Sequence, residues 1–447
     1  MSFWHNIAAV IRRELRIMRN RPIYLLGSVV TVAFCAIFFL TFLKDGLPHD
    51  LPVGIVDYDN STLSRNFARQ LDATQLGKVI RYDTFAQARE DMQSGKLTAV
   101  CVIPEGMYAD VQASRRPTFT YYLNGLYFVG GALSYKNILT MINLADGAVQ
   151  REVLRAKGVN EDAIMGRIRP VDVDVHQIGN QYTNYGYYLT NIFLPGVLEM
   201  AIIIILIYSL GAELKYGTSR HLLQTAGDSM FTALLGKIVV YTTLFSILGL
   251  ILILLMYDWM HFPINGSIWN MFLDILLLVL ASEGVAIFII GMLPIPRLAL
   301  SIGALYSVLA FSMSGFTLPV EAMPPYIQGL AEAFPLRHYF QFYSREVIFG
   351  TGFAGWYKEV IHMLSFSSSC RYWPSGDSSE LMFYRISLKN SRYEKRQLHK
   401  YVVSRLLGNF HPRTETHILR FRSYDHILPC RTRLSAAVQC YVPQRHT

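Results

Sequence analysis

Three acidic side chains stand inside long apolar stretches of the chain: Glu199, Asp274 and Glu283. A carboxylate at bilayer depth costs at least about 2.5 kcal/mol on insertion scales, so it tends to face a cavity or a partner. Asp274 and Glu283 lie on opposite faces of one helix, because nine residues turn it through about 180°. We expect Glu199, which follows Pro195 by one turn, to lie on a substrate path or at a dimer seam. A hydrogen bond to a neighbouring helix is the alternative for Glu199. For Asp274 the alternative is a place near the membrane interface.

Two clusters between residues 44 and 186 have side chains that could hold a ligand. In the segment VDYDNST, Asp57, Asp59 and Asn60 could converge on a cation or a phosphate. At the end of a strand such residues more often form a turn and a helix cap, which we favour. The second cluster is aromatic, and we favour core packing over a substrate surface for it. Its members are Phe119, Tyr121, Tyr122, Tyr127 and Phe128.

Neither the cysteines nor the glycines indicate a cofactor site. The cysteines form no CxxC pair and no closely spaced set with histidine, so neither a disulfide framework nor a metal site is indicated. They are Cys35, Cys101, Cys370, Cys430 and Cys440. The chain contains no GxxxxGK[ST] motif, since each of its three Gly-Lys pairs lacks the upstream glycine and the following hydroxyl residue. We therefore expect no ATP-binding loop, no cofactor and no catalytic group in this chain.

The composition points to a membrane protein. Of the 447 residues, 52% are hydrophobic and 16% are charged, whereas soluble domains carry about 25% charged residues. The formal net charge of +9 lies wholly beyond residue 370, because residues 1–370 balance 27 basic against 27 acidic residues. A nucleic-acid partner is therefore not indicated for the body of the chain.

Apolar runs predict five transmembrane helices. The first has 22 residues without a charge, which at about 1.5 Å each exceeds a bilayer core of about 30 Å. The predicted spans are Pro22–Leu43, Tyr187–Gly211, Gly236–Tyr257, Ile268–Leu293 and Leu298–Leu318. Five arginines before the first span place the N-terminus in the cytoplasm by the positive-inside rule. The preceding segment has apolar residues at helical spacing, so we expect an amphipathic helix on the inner leaflet.

Residues 44–186 contain 15 basic and 16 acidic residues, a density typical of a soluble domain. The orientation above places them outside the cytoplasm. Short strands and helices alternate in this stretch, and Thr84 with Gln87 forms a capping pair that begins a helix, while Gly95 marks its stop. The sequence therefore predicts a polytopic α-helical membrane protein with five clear spans and an α/β extracytoplasmic domain.

The loop between the second and third spans reads GAELKYGTSRHLLQTAG. A helix break at Gly217, an N-cap at Thr218 and a short amphipathic helix would suit docking into a groove on a cytoplasmic partner; an ordinary interfacial loop helix is the alternative. The segment resembles the RERExGTxExLL pattern of type-2 ABC exporter permeases, although Lys215, Arg220 and Ala226 depart from it. The matching positions, which the resemblance implies couple to an ATPase, are Glu213, Gly217, Thr218, Leu222 and Leu223.

A second stretch, SGFTLPVEAMPPYIQGLAEAFPLRHYFQ, resembles the same family after its fifth span. Prolines and a glycine at membrane depth are tolerated where backbone is buried in protein, so we expect a re-entrant hairpin. The residues that carry this match are Gly315, Pro319, Met323, Pro324 and Pro335. The resemblance covers residues 1 to about 363 and implies a sixth span.

The resemblance implies the function as well. The subgroup looks like bacterial multidrug or small-amphiphile exporters of the cytoplasmic (inner) membrane, in which two permeases, identical or different, work with two ATPases that bind ATP and Mg²⁺. Membrane lipid would be a further partner, and substrate would enter from the inner leaflet. A non-transport surface protein of the phage-infection type, with the same order of spans, is the rival interpretation.

The expected divisions of the chain follow from these elements. They are a cytoplasmic interfacial helix (1–21), the first span (22–43), the extracytoplasmic domain (44–186), spans two to five (187–318) with the coupling loop 212–236, a re-entrant segment approaching a sixth span (319–363) and a basic tail (364–447). The tail has no sustained period, and we hypothesise a reading-frame shift near codon 364. A genuine basic tail attracted to anionic lipid is the alternative.

Overall fold

The computed structural model describes most of the chain up to residue 368. The described residues are 3–44, 46, 48–113, 115, 117–126, 128–169, 176, 179–180 and 184–368. The basic tail from residue 369, with Cys370, Cys430 and Cys440, therefore lies outside the described residues, as do Tyr127 and the side chain of Phe128.

The described chain contains helices and one four-stranded sheet, which belongs to the α/β domain. In chain order the helices are α1 (Phe3–Asn20), α2 (Pro22–Phe42), α3 (Thr62–Asp72), α4 (Phe85–Gln93), α5 (Met107–Gln112), α6 (Phe128–Ala156), α7 (Glu161–Ile168), α8 (Tyr185–Lys215), α9 (Ser219–Thr225), α10 (Met230–Trp259), α11 (Ile268–Met292), α12 (Pro296–Met313), α13 (Pro325–Ala331), α14 (Pro335–Tyr343) and α15 (Phe353–Ser368). The strands are β1 (Leu51–Asp57), β2 (Gly77–Tyr82), β3 (Ala99–Ile103) and β4 (Thr120–Leu123).

Five of these helices, α2, α8, α10, α11 and α12, are long and apolar enough to cross a membrane. The predicted polytopic fold is therefore confirmed. Helix α10 begins at Met230, six residues before the expected Gly236. The last of the five helices was expected to reach Leu318 but stops at Met313. Gly315 follows with a φ of +87°, a left-handed conformation that ends a helix.

Helix α1 is amphipathic as expected, but its buried face rests on protein. Ile7, Val10 and Met18 are buried, and α1 packs mainly against α10 and also touches α9. Trp4 and Leu15 remain exposed. Helices α10 and α9 therefore cover this face, and the expected place of α1 on the inner leaflet stays a prediction.

The sheet of the α/β domain has the order β2-β1-β3-β4, with β1 parallel to both neighbours and β4 antiparallel to β3. Every strand expected from the sequence is present. Thr84 accepts a hydrogen bond from the Gln87 amide at 3.5 Å, and Gly95 has a φ of +81° where α4 stops. Helix α7 was not anticipated, since it has only eight residues.

The two possible ligand clusters of this domain have structural roles. Asp57 Oδ1 accepts the amides of Asp59 and Asn60 at 3.1 and 3.0 Å, and its Oδ2 accepts the Ser64 hydroxyl at 2.7 Å. These contacts form the turn and helix start favoured above. Three members of the aromatic cluster pack against rings outside it. These are Phe119 on Phe67, Tyr121 on Tyr135 and Tyr122 on Phe85.

The chain after α12 turns back on itself. Pro319 precedes a single helical turn that ends at Met323, Pro324 precedes α13, and Pro335 is the first residue of α14. Proline suits these positions because the first helical residues need no amide donor. Helix α14 is almost wholly buried and packs against α8, α11, α12 and α15. The segment for which the sequence predicts a re-entrant hairpin contains two short helices, and its place in the membrane stays a prediction. Helix α15, where a sixth span was expected, lies along α11.

Candidate functional site

Four elements meet around the loop that carries the GAELKYGTSRHLLQTAG segment. They are α1, the last turn of α8, the short helix α9 and the first turns of α10. Gly217 has a φ of +66°, which lets the chain reverse between α8 and α9 without the penalty that a side chain would bring. Arg21, after α1, stacks its guanidinium 5.1 Å from the ring of Tyr216 in the same turn. The loop is therefore held from the α1 side.

A network of four charged side chains joins three of these helices. Arg13 of α1 donates two hydrogen bonds to Glu213 of α8, at 2.8 and 2.9 Å, and one to Glu14 at 2.8 Å. Lys237 Nζ of α10 lies 2.8 Å from Glu14 Oε2 and 3.3 Å from Glu213 Oε1. The same ammonium donates to the Ser209 hydroxyl at 3.0 Å. We call Arg13, Glu14, Glu213 and Lys237 the charge network.

The charge network is nearly closed to solvent. The side chains of Glu14 and Lys237 are 0% and 1% exposed, and that of Arg13 is 14% exposed. Burial lowers the pKa of Arg13, but the hydrogen bonds and charges of Glu213 and Glu14 outweigh it and raise the pKa above its usual value. Two acids and two bases cancel in charge. Each nevertheless depends on the others, because removing one partner of a buried pair typically costs about 3–5 kcal/mol.

Close apolar packing surrounds the charge network. A Cβ placed on Gly236 would lie 2.7 Å from atoms of Val10, so only glycine permits this approach of α1 to α10. Val10 also belongs to a small buried cluster with Leu222, Ala226 and Ala233, which fastens α9 to α1 and α10. The docking of α1 on the loop is therefore both ionic and steric.

The structure gathers the five loop residues expected from the sequence, but gives them different roles. Glu213 belongs to the charge network, and Gly217 makes the turn. Thr218 stands at the N-cap of α9, yet its hydroxyl donates to Glu213 Oε2 at 2.5 Å in place of capping the helix. Leu222 is buried in the apolar cluster and Leu223 is half-buried against the main core. The exposed face of α9 carries other side chains, namely Arg220, His221 and Gln224.

Sequence reasoning missed Arg13, Glu14 and Lys237, which were counted as loop and interfacial charges. One signal was available for Glu14. It is the only acid before the first span, and with Ile7, Val10 and Met18 it falls at spacings of three and four residues along the apolar stripe of α1. A carboxylate in that stripe needs a buried cation, but nothing in the sequence names Lys237 as the partner.

The three carboxylates within the apolar helices are all buried, in different surroundings. Glu283 Oε2 accepts the Thr242 hydroxyl of α10 at 2.7 Å. Neither carboxylate oxygen of Glu199 or of Asp274 has a hydrogen-bond partner among the described residues. The hydrogen-bonding alternative for Glu199 therefore finds no contact in this part of the chain, and its placement on a substrate path or a dimer seam stays a prediction.

The α/β domain contains a groove of about 720 Å³ between α3, α6 and the segment around β4. Its lining is mostly apolar and includes Phe67 and Phe119, while Arg115, Arg167 and Asp146 are among its polar residues. Pockets for drug-sized ligands have volumes of about 300–1,000 Å³ and are lined in this way. The groove has the size and the lining for a molecule with an apolar body and a polar or charged end.

Comparison with known proteins gives one match. A family model described as ABC-2 family transporter protein matches residues 22–368, which is more than half of the chain. The match contains all five apolar helices, the α/β domain, the loop of the charge network and the re-entrant segment. No curated protein matches the sequence.

Proposed function

The chain belongs to the ABC-2 family of transporter proteins, and from that premise we propose that it exports a small amphiphilic or lipid-like compound. The family makes it a multi-pass membrane permease of an ABC transporter and implies an ABC ATPase as partner. The surface-protein alternative needs neither an ATPase nor a coupling loop, so the family match disfavours it.

The single observation that carries the coupling mechanism is the charge network. It ties Glu213, at the end of α8, to α1 and to Lys237 of α10. A partner that pushes on α9 would therefore displace α1, α8 and α10 together, because no member of the charge network can leave its buried counter-ions cheaply. The exposed face of α9, with His221 and Gln224, is the surface that we assign to the ATPase.

The remaining parts of the proposal concern direction, assembly and substrate. Arginines before α2 favour a cytoplasmic N-terminus in the bacterial inner membrane, which places α9 beside the ATPase and the α/β domain outside. Two permeases, identical or different, would work with two ATPases that bind ATP and Mg²⁺. The groove beside Phe119 and Arg115 supports an amphiphile as cargo, since it combines apolar walls with charged residues.

Coupling can be tested at the exposed face of α9. We expect Gln224→Arg, combined with His221→Glu, to reduce substrate-stimulated ATP hydrolysis by the purified permease–ATPase complex, because these side chains would meet the ATPase. Gln87→Arg, an exposed glutamine on α4 of the α/β domain, is the matched control and should leave it unchanged. Membrane insertion and thermal stability of all variants should equal those of the wild type. Normal stimulation in the α9 variant would refute its coupling role.

Orientation has a separate test. Reporter fusions after residues 126 and 226 should report opposite sides of the membrane, the first outside and the second inside. The same side for both would contradict the proposed topology.

A further inference from the structure

Three side chains with metal-ligand chemistry meet where α13, α14 and α15 come together: Glu332, His338 and His362. One ligand atom from each lies within 4.8 Å of the other two. Glu332 directly follows α13, His338 belongs to α14, and His362 lies on α15. They are six and 24 residues apart along the chain, so a search for closely spaced ligands could not find them.

His338 is held in a fixed orientation. Its Nδ1 lies 2.8 Å from Glu359 Oε2, and the other oxygen of Glu359 accepts from Arg345 at 3.0 Å. The imidazole is fully buried. When a carboxylate accepts a hydrogen bond from Nδ1–H, the lone pair of a neutral histidine is on Nε2. Metal-binding histidines in proteins are commonly oriented in this way.

The Nε2 atom of His338 then faces oxygen atoms. The carbonyl oxygen of Glu332 is 3.1 Å away, and its carboxylate Oε2 is 3.7 Å away. Arg337 holds the other carboxylate oxygen, Oε1, at 2.8 Å, which leaves Oε2 towards the imidazole. A lone pair opposite two oxygens is unfavourable unless a cation stands between them, either a second proton or a metal ion.

His362 supplies the third ligand. Its ring stacks nearly parallel to that of His338, with centroids 4.7 Å apart, and its side chain is exposed. Two imidazoles and a carboxylate are a set that Zn²⁺ binds with tetrahedral geometry, and three protein ligands leave a fourth position for water or another donor. Since Glu332 is also exposed, protein does not enclose the cluster on every side.

We propose that Glu332, His338 and His362 bind a divalent transition metal ion, of which Zn²⁺ fits the ligand set best, with Glu359 as the positioning residue for His338. The ion would join the re-entrant helices α13 and α14 to α15. The site is independent of the charge network and of any ATPase.

The test uses the full-length chain in detergent, stripped with EDTA and titrated with Zn²⁺ by calorimetry. His362→Gln replaces an exposed ligand and should weaken binding at this site at least about tenfold, the lower end of what even indirect ligand perturbations cost. Glu332→Gln should do the same. His221→Gln, an exposed histidine on α9, is the matched control and should bind as the wild type does.

Two further readouts separate this site from any other metal binding by the chain. Co²⁺ should give visible d–d absorption of a four-coordinate centre in the wild type and in His221→Gln, and lose it in His362→Gln. Zn²⁺ should raise the Tm of the wild type more than that of His362→Gln. Equal affinity and equal spectra in these proteins, or no saturable binding by the wild type, would overturn the proposal.

Discussion

At the scale of single residues, the charge network makes a sharp prediction about Lys237. Lys237→Met leaves Glu14 and Glu213 buried with one base between them, and should lower the free energy of unfolding by about 3–5 kcal/mol. Thermal unfolding of the purified chain in detergent measures this. Lys136→Met, at an exposed lysine of α6, should change the free energy by no more than about 0.5 kcal/mol.

The charge balance of the same network supplies a second variant. Adding Glu14→Gln to Lys237→Met removes one acid with one base, so the double variant should recover much of the lost stability. If Lys237→Met alone were as stable as the wild type, the four side chains would not act as a unit.

Cys101 carries a residue-scale prediction about pH. Its side chain is fully buried on β3, and burial raises the pKa of the thiol to about 12. Maleimide should therefore modify it far more slowly than an exposed thiol, whose pKa is about 8.5. The rate at an exposed cysteine, introduced by Ser94→Cys, should level off near pH 9. The rate at Cys101 should stay low and still be rising at pH 10, because its thiolate population keeps growing. Peptide mass spectrometry measures both rates in one sample, and equal rates would contradict the buried placement.

At the scale of elements, the approach of α1 to α10 depends on one missing side chain. Gly236→Ala should separate the helices, since its methyl group would collide with Val10, and should lower the Tm of the chain. The collision is relieved in the double variant Gly236→Ala with Val10→Ala, which should recover part of the loss. Gly329→Ala is the control. Its Cβ meets nothing within 4 Å, and alanine favours a helix by about 1 kcal/mol over glycine. A Tm for Gly236→Ala that equals that of Gly329→Ala would mean that α1 does not pack there.

The elements also show what the sequence can and cannot predict. The apolar helices and the strands follow from local periodicity, so their existence and order were predictable from runs such as Pro22–Phe42. The positions at which helices end were less predictable, as at Met313, where the left-handed conformation of Gly315 ends the helix. The pairings within the charge network and within the cluster around His338 were not predictable, because their members come from different helices. Their pairing is decided by tertiary packing, which leaves no local pattern in the sequence.

At the scale of the whole molecule, the family match ends at residue 368, near the point where the apolar pattern stops and the basic tail begins. The 16 residues of α15 extend about 24 Å at 1.5 Å each, which is short of a bilayer core of about 30 Å.

A frame shift near codon 364 predicts that another reading frame of the gene encodes about 20 apolar residues followed by a short basic end. Sequencing and translating the DNA in all three frames checks this. If neither alternative frame supplies them, the basic tail is genuine. If one of these frames does supply them, restoring that frame in the gene should increase assembly of the permease with the ATPase.

The charge network also constrains how the gene can change over evolutionary time. A single substitution at Glu14 or Lys237 leaves a buried charge without its counter-ion, so most one-step mutants would be removed by selection before a second change could arise. Viable routes exchange both positions together, or pass through a neutral residue that still hydrogen-bonds to Ser209. Related permeases should therefore show correlated replacement at these two positions, with acid and base gained or lost as a pair.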